Sequence, residues 1–386
     1  MITLQRARWA VLAAFFTNGA AFATWAPRIP TVQDSLSLDA TMLGLALTSG
    51  ALGGLLFTLP AGAIVDRLGS RRALLTAITA LCLCLPLPGL AGGWWPLAAA
   101  MLLLGAIDSL MDVAMNAHGV LLEQRSGRSM LNGFHASWSV GAVTGGVAGA
   151  AAAAAGLPVW AHLLAAGTLL GTITLLLGRG LLTHRQPRPQ GGRRTRIARP
   201  TPILAVAGLL VLAAAFIEDV PQSWSAVYLS TGLGAGPGVA GLAFVAFSVF
   251  MAAGRFVGDR LTDRFGQSRV LFTGGLLITF GFAAGLAINH PAAAIAGFAL
   301  VGLGASPIFP TAFSVAGRAA GTSGAAGIAL VSMVSRFGFL LAPLLVGVLA
   351  DATNFRYALG VVVLAGAVVT VLAARLRREM RATVAA

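Results

Sequence analysis

The chain has 386 residues, of which 57% are hydrophobic and only 10% charged, against about 25% charge in a soluble domain. With a mean hydropathy of +0.86, this composition excludes a soluble globular protein and indicates an integral membrane protein. The net charge of +14 comes from 26 basic residues, all of them Arg. They fall between apolar runs, where they set topology and meet anionic lipid headgroups rather than nucleic acid. Cys82 and Cys84, the only cysteines, are two apart in one apolar run and directed differently, which suits packing and not a disulfide.

In chain order, Arg6 and Arg8 precede an apolar run as in a signal peptide. That run continues to Pro27 without a convincing cleavage site and reads as a first span. About 20 apolar residues cross a bilayer. On that measure twelve segments follow: 8–28, 40–65, 72–91, 94–118, 131–155, 157–179, 201–229, 238–258, 268–288, 291–316, 324–349 and 356–374. With a cytoplasmic N-terminus, 23 of the 26 Arg fall on the cytoplasmic side, Arg255 and Arg269 among them. Arg28 and Arg356 fall outside, and Arg336 lies within a span. This bias predicts an all-α membrane protein with twelve transmembrane helices and both termini cytoplasmic. The Arg-rich, Pro- and Gly-containing stretch 181–200 reads as a basic cytoplasmic linker between an N-terminal six-helix bundle, 1–180, and a C-terminal one, 201–386.

The halves repeat. Asp66-Arg-Leu-Gly-Ser-Arg-Arg72 follows the second span and Asp263-Arg-Phe-Gly-Gln-Ser-Arg269 the eighth, an offset of 197 that also sets Gly105 on Gly302 and Gly141 on Gly338. An offset of 199 sets Trp25 on Trp224. Internal duplication of this kind is the mark of a secondary transporter with its site between two halves. Gly141, Gly145 and Gly149, at steps of four, form a small-residue face suited to close helix contact. It is expected to be a smooth surface along which the halves slide.

Gly62, Asp66, Arg67, Gly69 and Arg71 resemble the loop motif between the second and third helices of the major facilitator superfamily. Asp263, Arg264 and Gly266 resemble its weaker second copy; the sequence departs from the motif at Ser70 and Asp259. The resemblance covers the whole chain. It implies a gating latch in which these groups pair across the cytoplasmic seam. Three further stretches, Asp112-Val-Ala-Met-Asn116, Gly133-Phe-His135 and Glu218 with Trp224-Ser-Ala-Val-Tyr228, look like the fucose permease branch and its bacterial inner-membrane relatives. That branch is proton-coupled through a carboxylate on the fourth helix, which here would be Asp108 or Asp112. Ser223 and the added Asp219 depart from it and leave the substrate open.

Polar residues within apolar spans are functional candidates because an ionisable group there costs at least about 2.5 kcal/mol. Asp108, Asp112 and Asn116 lie along one helix face, about 6 Å apart. At about 1.5 Å per residue, Asp108 is about 15 Å from the cytoplasmic end, Asp112 about 9 Å, His135 about 6 Å and Arg336 about 18 Å. Glu218 and Asp219, at about 25 Å, lie toward the outside. The expectation is a column of titratable groups for proton coupling: Asp112 with His135 inside, Asp108 with Arg336 at the centre, Glu218 and Asp219 outside. Asn18 could hydrogen-bond a polar solute. Trp25, Trp138 and Trp224 could form stacking walls, or, for Trp25 and Trp224, interfacial anchors. His118 and His162 read as interfacial. The second half has Ala305 and Phe309 in place of the two acids of the fourth span.

The predicted function is alternating-access transport of a small, sugar-like or other polar solute, coupled to protons, by a monomer in the cytoplasmic membrane. An exporter of amphipathic compounds is the alternative in the same fold. An intramembrane aspartyl enzyme is disfavoured, since an i,i+4 pair on one helix is a poor dyad. Neither a metal nor another cofactor is expected, because nucleotide loops and metal-ligand clusters are absent from the sequence.

Overall fold

The computed structural model describes residues 4–127, 130–183, 201–317 and 324–385. Of the expected linker, residues 184–200 lie outside the described residues. The first-half helices are α1 (Leu4–Trp25), α2 (Ala40–Leu68), α3 (Ser70–Cys84), α4 (Trp94–Ser126), α5 (Leu131–Ala154) and α6 (Val159–Gly178). The second-half helices are α7 (Pro202–Val227), α8 (Pro237–Phe265), α9 (Gln267–Leu276), α10 (Pro291–Ala305), α11 (Gly324–Ala352) and α12 (Gly360–Ala385). They fall on the twelve apolar segments. Eleven stretches are long and apolar enough to cross a membrane among the described residues, and α5 fills the remaining place.

Helix ends follow local chemistry. The Asp39 carboxylate accepts from the Met42 N–H at 2.7 Å and starts α2. Glu123, near the end of α4, accepts from the N–H groups of Met130 and Leu131, which lack helical acceptors at the start of α5. Pro60, Pro221 and Pro343 lie inside α2, α7 and α11. A π-helical turn, Tyr228–Gly232, closes α7, and another, Leu277–Phe282, extends α9.

The chain divides into two compact units. One comprises Met1–Gln190 with Gly236–Gly241, the other Gly191–Ala235 with Leu242–Ala386. In the first, α1 packs on α5 and α6, and α2 packs on α4. In the second, α7 packs on α11 and α12, and α9 on α12.

The duplication is visible as repeated backbone geometry. Gly69 joins α2 to α3 at φ 82 and ψ 150, and Gly266 joins α8 to α9 at φ 84 and ψ 147. This region is essentially restricted to glycine. A Cβ on Gly105 would overlap the carbonyl of Gly50, and one on Gly302 would overlap that of Phe247. Both partners differ by the same 197 positions, so each unit contains the same close approach of a glycine to a backbone carbonyl.

The α5 glycines correct an expectation. A Cβ on Gly141, Gly145 or Gly149 would overlap or crowd the carbonyl oxygens of Phe16, Ala20 and Thr24 respectively. The stripe therefore meets an equally regular stripe on α1, inside one unit. Small residues let two backbones approach closely, and here they fasten α5 to α1 instead of providing a sliding surface.

Candidate functional site

In the first unit, three candidate residues from three helices form one chain of hydrogen bonds. Trp138 on α5 donates through Nε1 to Asn18 Oδ1 at 2.8 Å, and Asn18 on α1 donates through Nδ2 to Asp108 Oδ1 on α4 at 2.6 Å. An indole N–H can only donate, so it fixes the amide with its oxygen toward Trp138 and its NH2 toward the carboxylate. Asn18 is buried, while Trp138 and Asp108 are half-buried.

One turn along α4, Asn116 Nδ2 donates to both the carbonyl and the carboxylate of Asp112, each at 2.9 Å. Asp112 is exposed. His135 is also exposed and stands edge-on to Phe15, with ring centroids 5.1 Å apart. Asp108 is bonded within its own unit, by Asn18; Arg336 belongs to the other unit.

In the second unit, Arg255 Nη2 donates to Glu218 Oε1 at 3.1 Å, joining α8 to α7. Arg255 was expected on the cytoplasmic side, but it lies in an apolar span, Pro237–Gly258, and forms an ion pair there. The signal was present in the sequence, because residue 255 falls inside the eighth apolar segment. Asp219 accepts a 3.3 Å hydrogen bond from Ser223 one turn ahead. The two positions that set this stretch apart thus bond to each other.

The tryptophans behave differently from one another. Trp224 is fully buried against Phe355, with ring centroids 5.8 Å apart. It is neither an interfacial anchor nor an open stacking face, because its surface is already covered by protein. Trp25 is also buried, at 9% exposure, which corrects the anchor reading. Trp138 alone of the three is a hydrogen-bonded member of the polar chain. In the second unit Phe309, at the place of Asp112, stacks on Phe313 and Phe339, so an apolar cluster replaces the acid.

At the loop motifs, Asp66, Arg67, Asp263 and Arg264 are exposed. The Arg264 guanidinium lies 5.3 Å from the Phe265 ring centroid. Beyond its chain neighbours and the adjoining turns of its own helix, nothing lies within 4 Å of a Cβ built on Gly62. Arg71 follows Ser70 in the first turn of α3.

His118 corrects another expectation. It is wholly buried, accepts from the Leu182 N–H at Nε2 (3.1 Å) and lies 2.9 Å from Ser70 Oγ through Nδ1. Because Nε2 accepts, Nδ1 carries the proton and donates to Ser70. His118 therefore ties the end of α4 to the start of α3 and to the segment after α6. The second unit has a parallel tie, with Gln267 Nε2 donating to Ser314 Oγ at 3.4 Å.

His162 is buried as well, its Nε2 3.0 Å from Thr24 Oγ1. A separate cavity of about 770 Å³ in the second unit is lined by apolar residues such as Phe265, Leu303 and Ala373, with Arg269 the one charged group among the described residues that line it. It holds none of the candidate acids. Among the described residues no group of three or more His, Cys, Asp or Glu could hold a metal.

Comparison with known proteins agrees with this architecture. The family model for the Major Facilitator Superfamily matches residues 11–220 and 204–385, and the chain belongs to that superfamily of membrane transporters. It is 32% identical over 351 residues to an uncharacterized MFS-type transporter of Yersinia pestis, covering 91% of each chain. It is 32% identical over 370 residues to the transporter y4wD of Sinorhizobium fredii, covering 95% of this chain and 97% of that one. Among solved structures, a bacterial homolog of the human lysosomal transporter Spinster superposes with a TM-score of 0.78. That likeness has 15% identity and covers 95% of this chain and 96% of the other; it is a likeness of fold. The chain is thus a multi-pass membrane protein of a transporter family.

Proposed function

We propose that this transporter moves a small polar, sugar-like solute by alternating access and couples that movement to protons through Asp108. The observation that carries the reading is the chain Trp138–Asn18–Asp108. Asp108 is a half-buried carboxyl whose hydrogen-bond partner is a neutral amide. An amide N–H can donate to a carboxylate and equally to the carbonyl oxygen of a carboxylic acid. The bond therefore survives both protonation states, as a group that loads and unloads a proton requires. Glu218 is different, because its partner Arg255 is a permanently charged guanidinium and not a neutral amide. Asn18 and Asp108 also supply a donor and acceptors of the kind that bind hydroxyl groups.

Proteoliposome uptake under an imposed inward proton gradient tests the assignment, after thermal-shift screening of sugars, sugar acids, amino acids and nucleosides has supplied a solute. Asp108→Asn is expected to abolish uphill accumulation while downhill exchange continues. Full gradient-driven accumulation by that variant would sink the assignment.

A further inference from the structure

Arg28 was expected on the outer surface as a topology charge, and it is instead 1% exposed. It stands in the 3-10 turn Ala26–Arg28 that ends α1, on the opposite end from Arg6 and Arg8. Its Nη2 donates to the carbonyl of Leu157, in the connection between α5 and α6. Its Nε and Nη1 are buried and have no acceptor among the described residues.

His162, one turn into α6, bonds through Nε2 to Thr24, one turn before Arg28. Its Nδ1 is buried and likewise has no partner among the described residues. The Thr24–Nε2 contact fits either ring tautomer; the proposed site takes the one in which the Thr24 hydroxyl donates, so that Nδ1 carries a hydrogen and is a third unsatisfied donor. The adjoining helix Ile29–Ser35 contributes one unpartnered buried acceptor, Gln33 Oε1. That group is neutral and cannot balance a charge. The acids nearest in sequence do not serve either: Asp34 and Asp39 are exposed, and Asp39 caps α2. A guanidinium cannot shed its proton, and water can fill its hydrogen bonds but not its charge.

The geometry points to a binding site for a small monoanion at this end of the first unit, held by Arg28 and His162 beneath the α5–α6 connection. The ligand chemistry is that of a compact anion accepting several N–H donors, either a halide from the medium or the carboxylate of a small acid. The site uses no residue of the Trp138–Asn18–Asp108 chain and does not depend on how that chain works.

The test is thermal unfolding of the purified protein in zwitterionic HEPES buffer, titrated with sodium chloride or sodium formate and compared with equal ionic strength of sodium gluconate, whose polyol chain is too bulky for a compact-anion site. The wild type is expected to show a saturable rise of about 2–4 °C. A response to chloride would identify the halide, and a stronger response to formate the carboxylate. Arg28→Gln removes both the charge and its need for a counterion. It is expected to fold without chloride or formate and to lose the rise. His162→Gln is expected to weaken half-saturation several-fold and gives an independent reading should Arg28→Gln fail to fold. A flat wild-type response to both anions would mean that water alone fills the site and would overturn the proposal, as would an undiminished rise in either variant.

Discussion

Asn18 donates to Asp108 at 2.6 Å, and its orientation is set by Trp138, a residue 120 positions away in the chain. A hydrogen bond to a charged group is worth about 1.5–3 kcal/mol, or roughly 10- to 100-fold in an equilibrium. Asn18→Ala is therefore expected to lower solute accumulation about 10- to 100-fold. Trp138→Phe, which keeps the ring and loses the N–H, should lower it less. The double variant should be no worse than Asn18→Ala, because Trp138 acts through Asn18. Initial-rate uptake measurements on the three variants decide this, and additive losses would show that Trp138 has a separate role.

The Glu218–Arg255 pair makes a different prediction. Removing one partner strands the other in a span, at a cost of about 1–3 kcal/mol. Glu218→Gln and Arg255→Gln should each lower the thermal unfolding midpoint. Changing both should lower it by less than the sum of the single losses. Simple additivity in a double-mutant cycle would mean that the two groups are not coupled.

Gly145→Val places a branched side chain where α1 supplies the carbonyl of Ala20. Overpacking of this kind costs about 1–3 kcal/mol or more, so the variant should express poorly and unfold early in detergent. Gly62→Ala enters open space and should unfold with the wild type. Fluorescence-detected size exclusion after heating compares the two directly.

Gly69 and Gly266 share one backbone conformation, which carries a strain of about 1–3 kcal/mol for other residues. Gly69→Ala and Gly266→Ala should therefore destabilise by similar amounts, although their neighbours differ. Markedly unequal shifts in unfolding midpoint would show that the surroundings, and not the backbone, decide the effect.

Much of the fold was legible in the sequence because its causes are local. Apolar run length and Arg bias located the helices, and the offset of 197 located glycines whose contacts are repeated. The site was legible in its parts: Asn18, Asp108 and Trp138 each stood out as polar or aromatic in an apolar span. Their joining was not, since it depends on which faces of α1, α4 and α5 meet. Arg28 and Arg255 were misjudged for a different reason. Counting charges by side assigns each Arg to the nearest aqueous face, whereas Arg28, at a helix end, turns inward to a backbone carbonyl, and Arg255, within the eighth apolar segment, meets Glu218. His118 reads as interfacial because it closes the apolar run 94–118, but the helix continues to Ser126 and the ring meets a backbone N–H inside the fold.

The crossings at Gly105 on Gly50 and Gly302 on Phe247 have a mechanical consequence. Side chains between helices can change rotamer and let one helix roll on another. At these points one backbone rests directly on the next, leaving nothing to rearrange. The pairs α2–α4 and α8–α10 should therefore behave as stiff levers throughout any working cycle, with bending confined to places where the ladder is already irregular, such as the π-helical turns.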